Sequence, residues 1–164
     1  MAELNARRIV HALADQGVDF VVIGASAALL QGVPLAKTLD FDVTAAATDR
    51  NRQRLATALV ELGAKLRLPD DEGLEAPLEA KMLRSVTVVT LLTDAGPLDV
   101  LFEPAGAPAY EELKARSVEV REYGLAVRVA AIDDLIAMKR AAGREKDAAH
   151  LTVLLQHRSR EGER

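Results

Sequence analysis

The chain has 164 residues, of which 49% are hydrophobic and 28% charged, a composition that suits one globular domain with a sizeable core. Aromatic residues are only 3% and Trp is absent, which excludes a surface that stacks single-stranded bases on aromatic rings. Lys and Arg total 21 against 25 Asp and Glu, a net charge of -4, so the chain as a whole is no electrostatic match for duplex phosphate; the lack of Cys removes disulfides, thiolate nucleophiles and Cys-ligated metals.

Leu4, Ile9, Val10 and Leu13 recur at helical spacing up to Gly17 and predict an opening amphipathic helix. Residues 1–8 mix acidic and basic side chains without an apolar run, so no secretory signal is expected and a cytoplasmic location is. Residues 18–23 read as a buried strand that runs directly into Gly24-Ala25-Ser26 and a helix over 27–31, stopped by Gly32 and Pro34. Residues 39–43 read as a second strand, followed by a helix from Thr48 or Asp49 to about Leu62, with Gly63 as its stop. The acidic stretch 68–80, with Pro69 and Pro77, is expected to be a long loop.

Residues 85–92 and 97–102 read as strands around a turn at Asp94-Ala95-Gly96, and 110–115 as a short helix. Residues 118–121 and 125–129 form an expected hairpin. Helices are predicted over 132–142, ended by Gly143, and from Lys146 to about Gln156. The order of elements predicts an α/β or α+β domain over residues 1–156, a mixed central sheet flanked by helices, followed by a polar tail at 157–164 that frays.

Alternation along a strand puts Asp40 and Asp42 on one face, roughly 7 Å apart at Cα, with Leu39, Phe41 and Val43 on the core face. Asp99 has the same relation to Leu98, Val100 and Phe102, and would join the pair if the two strands are neighbours. For Asp40 and Asp42 alone, the solvated face of a half-buried strand is the simpler explanation. Two strands with this pattern weaken it, because Asp is depleted in strands. Converging carboxylates can ligate a divalent ion. The small residues Gly24, Ala25 and Ser26 would let a phosphate approach backbone N–H groups, with the Ser26 hydroxyl as a further donor, although such turns are commonly packing devices.

These residues resemble a family. Val22-Ile23-Gly24-Ala25-Ser26-Ala27, Gly32-Val33-Pro34 and Lys37-Thr38-Leu39-Asp40-Phe41-Asp42-Val43 look like the opening signature of the nucleotidyltransferase superfamily of the DNA polymerase β type, nearest to its small bacterial branch around the AbiEii-type toxins of toxin–antitoxin systems. Asp99 falls where that family has its third carboxylate. The segment from Ile132 to Asp147 is similar to the branch's C-terminal signature, a Lys on one helix and a basic residue followed by Asp at the start of the next.

The resemblance implies that Asp40, Asp42 and Asp99 are catalytic and hold Mg²⁺ or Mn²⁺, with Asp99 also taking the proton of the attacking hydroxyl. It implies a nucleotide-binding set of Gly24, Ala25, Ser26, Lys37, Lys139, Lys146 and Asp147. The expected partners are an NTP donor, a tRNA or protein acceptor, and an antitoxin protein. The alternative is a degenerate module of the same fold that binds nucleotide or a partner without turnover. The chain departs from the family pattern at Ala25, at Lys37, which stands for an Arg, and at His150, which stands for an Asp.

Among the remaining candidates, helical periodicity places Lys139 with Leu135 and Ala142. Arg140 and Arg144 read as solvated cations of a helix end, and His11 and His150 as boundary core histidines.

Overall fold

The computed structural model describes residues 2–164. Helix α1 (Ala6–Asp15) is capped by Asn5, whose side chain accepts the Arg8 N–H at 3.1 Å, and it buries Ile9, Val10 and Leu13 as their spacing predicts. Strand β1 (Phe20–Ile23) passes without a loop into α2 (Gly24–Leu30), so Gly24, Ala25 and Ser26 form the first turn of a helix. Strand β2 (Phe41–Ala45) is followed by α3 (Asp49–Glu61), capped by the Thr48 hydroxyl. Then come β3 (Lys65–Arg67), β4 (Gly73–Leu74), α4 (Ala80–Arg84), β5 (Val88–Thr93) and β6 (Gly96–Leu101). The chain ends with α5 (Tyr110–Arg116), β7 (Val118–Glu122), β8 (Leu125–Val129), α6 (Ile132–Ala142) and α7 (Asp147–Gly162).

The strands form one mixed sheet of eight, in the order β4-β3-β5-β6-β2-β1-β8-β7, flanked by helices, in agreement with the expected fold class. Strands β2 and β6 are parallel neighbours, as are β1 and β8; the other adjacent pairs run antiparallel. Phe41, Val43, Leu98 and Val100 are fully buried at the sheet centre. Burying one such side chain is worth about 1.5–3 kcal/mol. Asn51 ties α3 to the ends of β1 and β2: its Oδ1 accepts Asp19 N at 2.7 Å, and its Nδ2 donates to Asp19 O at 3.0 Å and Ala46 O at 2.8 Å. The β7–β8 turn places Tyr123 at φ 58 and Gly124 at φ 76, the two positive values that a two-residue hairpin of matching twist requires.

Three expectations need correction. Strand β2 begins at Phe41, so Leu39 and Asp40 precede it, and Leu39 is 75% exposed rather than turned to the core. The cause is a side-chain turn: Thr38 Oγ1 donates to Asp40 O at 3.0 Å and accepts Asp40 N at 3.3 Å, which takes Asp40's backbone groups out of the ladder. The expected loop at 68–80 contains a hairpin, because β4 pairs with β3 and β3 extends the sheet beyond β5. Residues 157–162 continue α7 instead of fraying, and Arg158 reaches back to Asp133 of α6 at 3.2 Å. Among the described residues, no helix is long and apolar enough to cross a membrane.

Candidate active site

Because β2 and β6 run parallel and in register, Asp42 sits directly opposite Asp99. Adjacent strands lie about 4.8 Å apart, so the two carboxyls are forced together on the face away from Phe41 and Val43. Both line a cleft of about 680 Å³ between the strand ends and helices α2, α6 and α7, and Asp40 lines it as well. The price of this arrangement is electrostatic. Burial, then the negative charges of Asp99 and Asp40, push the Asp42 carboxyl up to about 7 from 3.8. Burial and the Asp40 charge raise Asp99 too. Asp99 Oδ1 is buried without a hydrogen-bond partner.

Gly24 makes the close approach of α2 to this pair feasible. Its φ is +67, and a Cβ at this position would lie 2.4 Å from Asp42 Oδ2. Gly24→Ala is therefore expected to displace the Asp42 carboxylate and to cost about 1–2 kcal/mol of stability through left-handed strain. Chemical denaturation together with a nucleotide-binding measurement checks both effects.

The opposite wall comes from the C-terminal helices. Asp147, at the first turn of α7, is 4% exposed. Its Oδ1 accepts Lys139 Nζ at 2.9 Å, and its Oδ2 accepts Arg144 Nε at 2.7 Å. Burial alone would raise this carboxyl, but Arg144 and Lys139 hold it down to about 2. The Lys139 side chain is only 17% exposed. Its ammonium thus lies inside the cleft, close enough that its charge partly offsets the upward push on Asp42. Lys146 lines the mouth of the cleft and is exposed.

The cleft gathers Gly24, Ala25, Asp40, Asp42, Asp99, Lys139, Lys146 and Asp147, and leaves out two expected residues. Ser26 is buried and its hydroxyl donates to Asp40 O at 3.4 Å, so it braces the acidic loop instead of offering a phosphate contact. Lys37 is exposed on the loop before β2, where it pairs with Glu3 at 3.1 Å, and does not line the cleft. Asp147 lines the cleft with both of its carboxylate oxygens engaged, by Lys139 and by Arg144.

Three further residues belong to the site or its border. Arg144 is solvated as expected, with 56% of its side chain exposed, and its Nε also donates to Asp147 Oδ2; its spacing of three residues from Asp147 at a helix start is the signal for that pair. His150, expected at the boundary of the core, is half-buried and lines the cleft, with its Nδ1 buried without a partner. Arg67 Nη1 lies 3.5 Å from Asp40 Oδ1. No local pattern announces it, since β3 reaches the site only through pairing with β5.

The donor chemistry of Asp42 and Asp99 suits a hard divalent ion: two converging carboxylates, one with an unpartnered buried oxygen, both raised toward the protonated form by burial and neighbouring negative charge. Asp40 is engaged by Arg67, and among the described residues no three acidic or His side chains are clustered as a ready-made metal site. The expected three-carboxylate ligand set is therefore preassembled only as the Asp42–Asp99 pair.

No family model and no curated protein sequence matches the chain. Solved structures do match its fold. A Thermotoga maritima protein assigned as a nucleotidyltransferase shares 18% identity with a TM-score of 0.56, over 92% of this chain and 90% of that one. ANT(2'')-Ia in complex with adenylyl-2''-tobramycin shares 16% identity with a TM-score of 0.60, over 94% of this chain and 88% of that one. An antigenic nucleotidyltransferase-like protein from Paracoccidioides brasiliensis shares 18% identity with a TM-score of 0.50, over 94% and 78% of the two chains. The chain thus has a nucleotidyltransferase-like fold, with the carboxylate pair and the Lys139–Asp147 pair on facing walls of one cleft.

Proposed function

We propose that the protein is a metal-dependent nucleotidyltransferase that takes a nucleotide from an NTP and places it on a hydroxyl acceptor. The observation that carries this reading is the register pairing of Asp42 with Asp99 across a cleft from a largely covered Lys139 held by Asp147. Asp40, Asp42 and Asp99 would hold Mg²⁺ or Mn²⁺. Bound there, the ions would neutralise charge on the triphosphate and on the leaving pyrophosphate. The chain's own residues have separate tasks. Lys139, held by Asp147, meets phosphate from the side opposite the carboxylates. Asp99, whose affinity for a proton is raised by burial and by Asp40, accepts the proton of the attacking hydroxyl. The apolar wall of Leu35, Leu135, Met138 and Leu154 shields the reacting groups from water.

The acceptor we favour is a hydroxyl of RNA, specifically tRNA, or of a protein, in keeping with an AbiEii-like toxin and an antitoxin partner; the resemblance of the Asp40-Phe41-Asp42 and Lys139…Asp147 segments supports this. The likeness to ANT(2'')-Ia adds an aminoglycoside hydroxyl to the acceptors worth assaying. Each NTP, labelled at the α-phosphate, should be incubated with the protein and Mg²⁺ in the presence of total tRNA, an aminoglycoside or the protein alone. Metal-dependent transfer of label to one of these is expected. Lys139→Ala should weaken it by roughly 1.5 to 3 kcal/mol, the range for a charge-assisted hydrogen bond, or about 10- to 100-fold.

A second reading, a degenerate module that binds nucleotide without turnover, is favoured by two observations: Ser26 faces inward, and Arg67 engages Asp40. It predicts NTP-dependent stabilisation with no transfer of label to any acceptor.

A further inference from the structure

Arg67 lies outside the motifs and does not line the cleft, yet it makes the structure's ion pair to Asp40. Its Nε and Nη2 both lie 2.8 Å from Asp71 Oδ1, and its Nη1 reaches Asp40 Oδ1 at 3.5 Å. The guanidinium is three-quarters covered, with 24% of the side chain exposed. Asp71 is set in the β3–β4 turn at φ 63, a turn closed by Asp71 N donating to Leu68 O at 2.9 Å. Strand β3 is hydrogen-bonded to β5, and β5 to β6, which carries Asp99. The hairpin therefore delivers one oriented cation, tethered from behind, to Asp40, the carboxylate that lines the cleft beside the Asp42–Asp99 pair.

Arg67 engages Oδ1 of Asp40, so an ion ligated by that carboxylate shares its charge with the guanidinium, and two cations on one carboxylate repel each other. We propose that Arg67 is the resident counter-cation of the metal-free acidic site, and that a divalent ion binds there by displacing the guanidinium from Asp40. This rests on the reading of Asp40, Asp42 and Asp99 as metal-holding. It adds a built-in competitor: apparent metal affinity is lowered by the fraction of molecules in which Arg67 occupies Asp40, and the β3–β4 hairpin reports metal occupancy.

The test measures Mn²⁺ binding by calorimetry and metal-free melting at pH 8 for the wild type, Arg67→Gln and Arg84→Gln. The last removes the same charge from an exposed pair with Asp49. Arg67→Gln is expected to bind Mn²⁺ about tenfold more tightly, the change for a competitor occupying nine-tenths of the molecules. It should also melt at a lower temperature without metal, and Mn²⁺ should restore the loss. Arg84→Gln should behave as wild type in Mn²⁺ binding. Equal or weaker Mn²⁺ binding by Arg67→Gln, with the wild type binding normally, overturns the displacement alone. An unchanged metal-free melting temperature overturns the counter-cation role. Absence of Mn²⁺ binding in both proteins overturns the displacement together with the metal-holding reading of the carboxylates.

Discussion

Asp42→Asn is expected to reduce nucleotide transfer at least a thousandfold while making the metal-free protein more stable above pH 7. The loss follows, on the proposed reading, from removing one charge of the carboxylate pair that the sheet register brings together. The gain follows from linkage. The Asp42 carboxyl titrates near 3.8 when unperturbed and near 7 in the fold. Between these values the folded chain holds a proton that the unfolded chain has lost, so its stabilising share is complete below 3.8 and disappears as pH rises through about 7. At pH 8 the wild type carries a buried, crowded negative charge that Asn lacks. The variant should therefore be more stable by about 2 kcal/mol there, with the difference shrinking as pH falls toward 4, in the absence of metal. Denaturation curves at pH 8 and pH 5 without metal measure this directly. A variant less stable than wild type at pH 8 would refute the electrostatic account of the pair.

Asp147→Asn should have the opposite pH signature. This carboxylate is buried against Lys139 and Arg144 and titrates near 2, below its unperturbed 3.8. Its stabilising contribution is present above 3.8 and is lost as pH falls through about 2. The variant is expected to lose about 2 kcal/mol at pH 7 and to match wild type by about pH 2. Because Lys139 would lose its anchor, transfer should fall as well. The rise in KM should resemble that of Lys139→Ala, since both changes act on the same ammonium. An Asp147→Asn protein with full affinity for NTP would show that Lys139 does not need this anchor.

Residues whose role is set by local spacing were readable from the sequence. Asp42 and Asp99 alternate with large apolar residues, and this alone placed both on the same kind of face; Gly143 ended α6 in a left-handed cap as its type suggests. The segment from Ile132 to Ala142 was delimited to the residue. What failed was set by side chains competing for the backbone or by contacts distant in sequence. Leu39 continued the alternation but lies in a bend, because the Thr38 hydroxyl captures Asp40's backbone. Ser26 had the composition of a phosphate-binding turn, but the helix begins at Gly24 and turns that hydroxyl inward. Arg67 reaches Asp40 across 27 positions and three strand pairings. The pairing of Arg144, an exposed helix-end cation, with Asp147 is set by the demand of that buried carboxylate for a second partner.

If the acidic pair and Lys139 form one metal-and-nucleotide site, its binding can be measured without knowing the acceptor. Calorimetric titration of each NTP into the wild type and Asp42→Asn, with and without Mn²⁺, is the decisive measurement. One or more NTPs are expected to bind the wild type only when Mn²⁺ is present, and this dependence is expected to vanish in Asp42→Asn. NTP binding of equal strength with and without the metal, or unchanged by Asp42→Asn, would contradict the one-site reading.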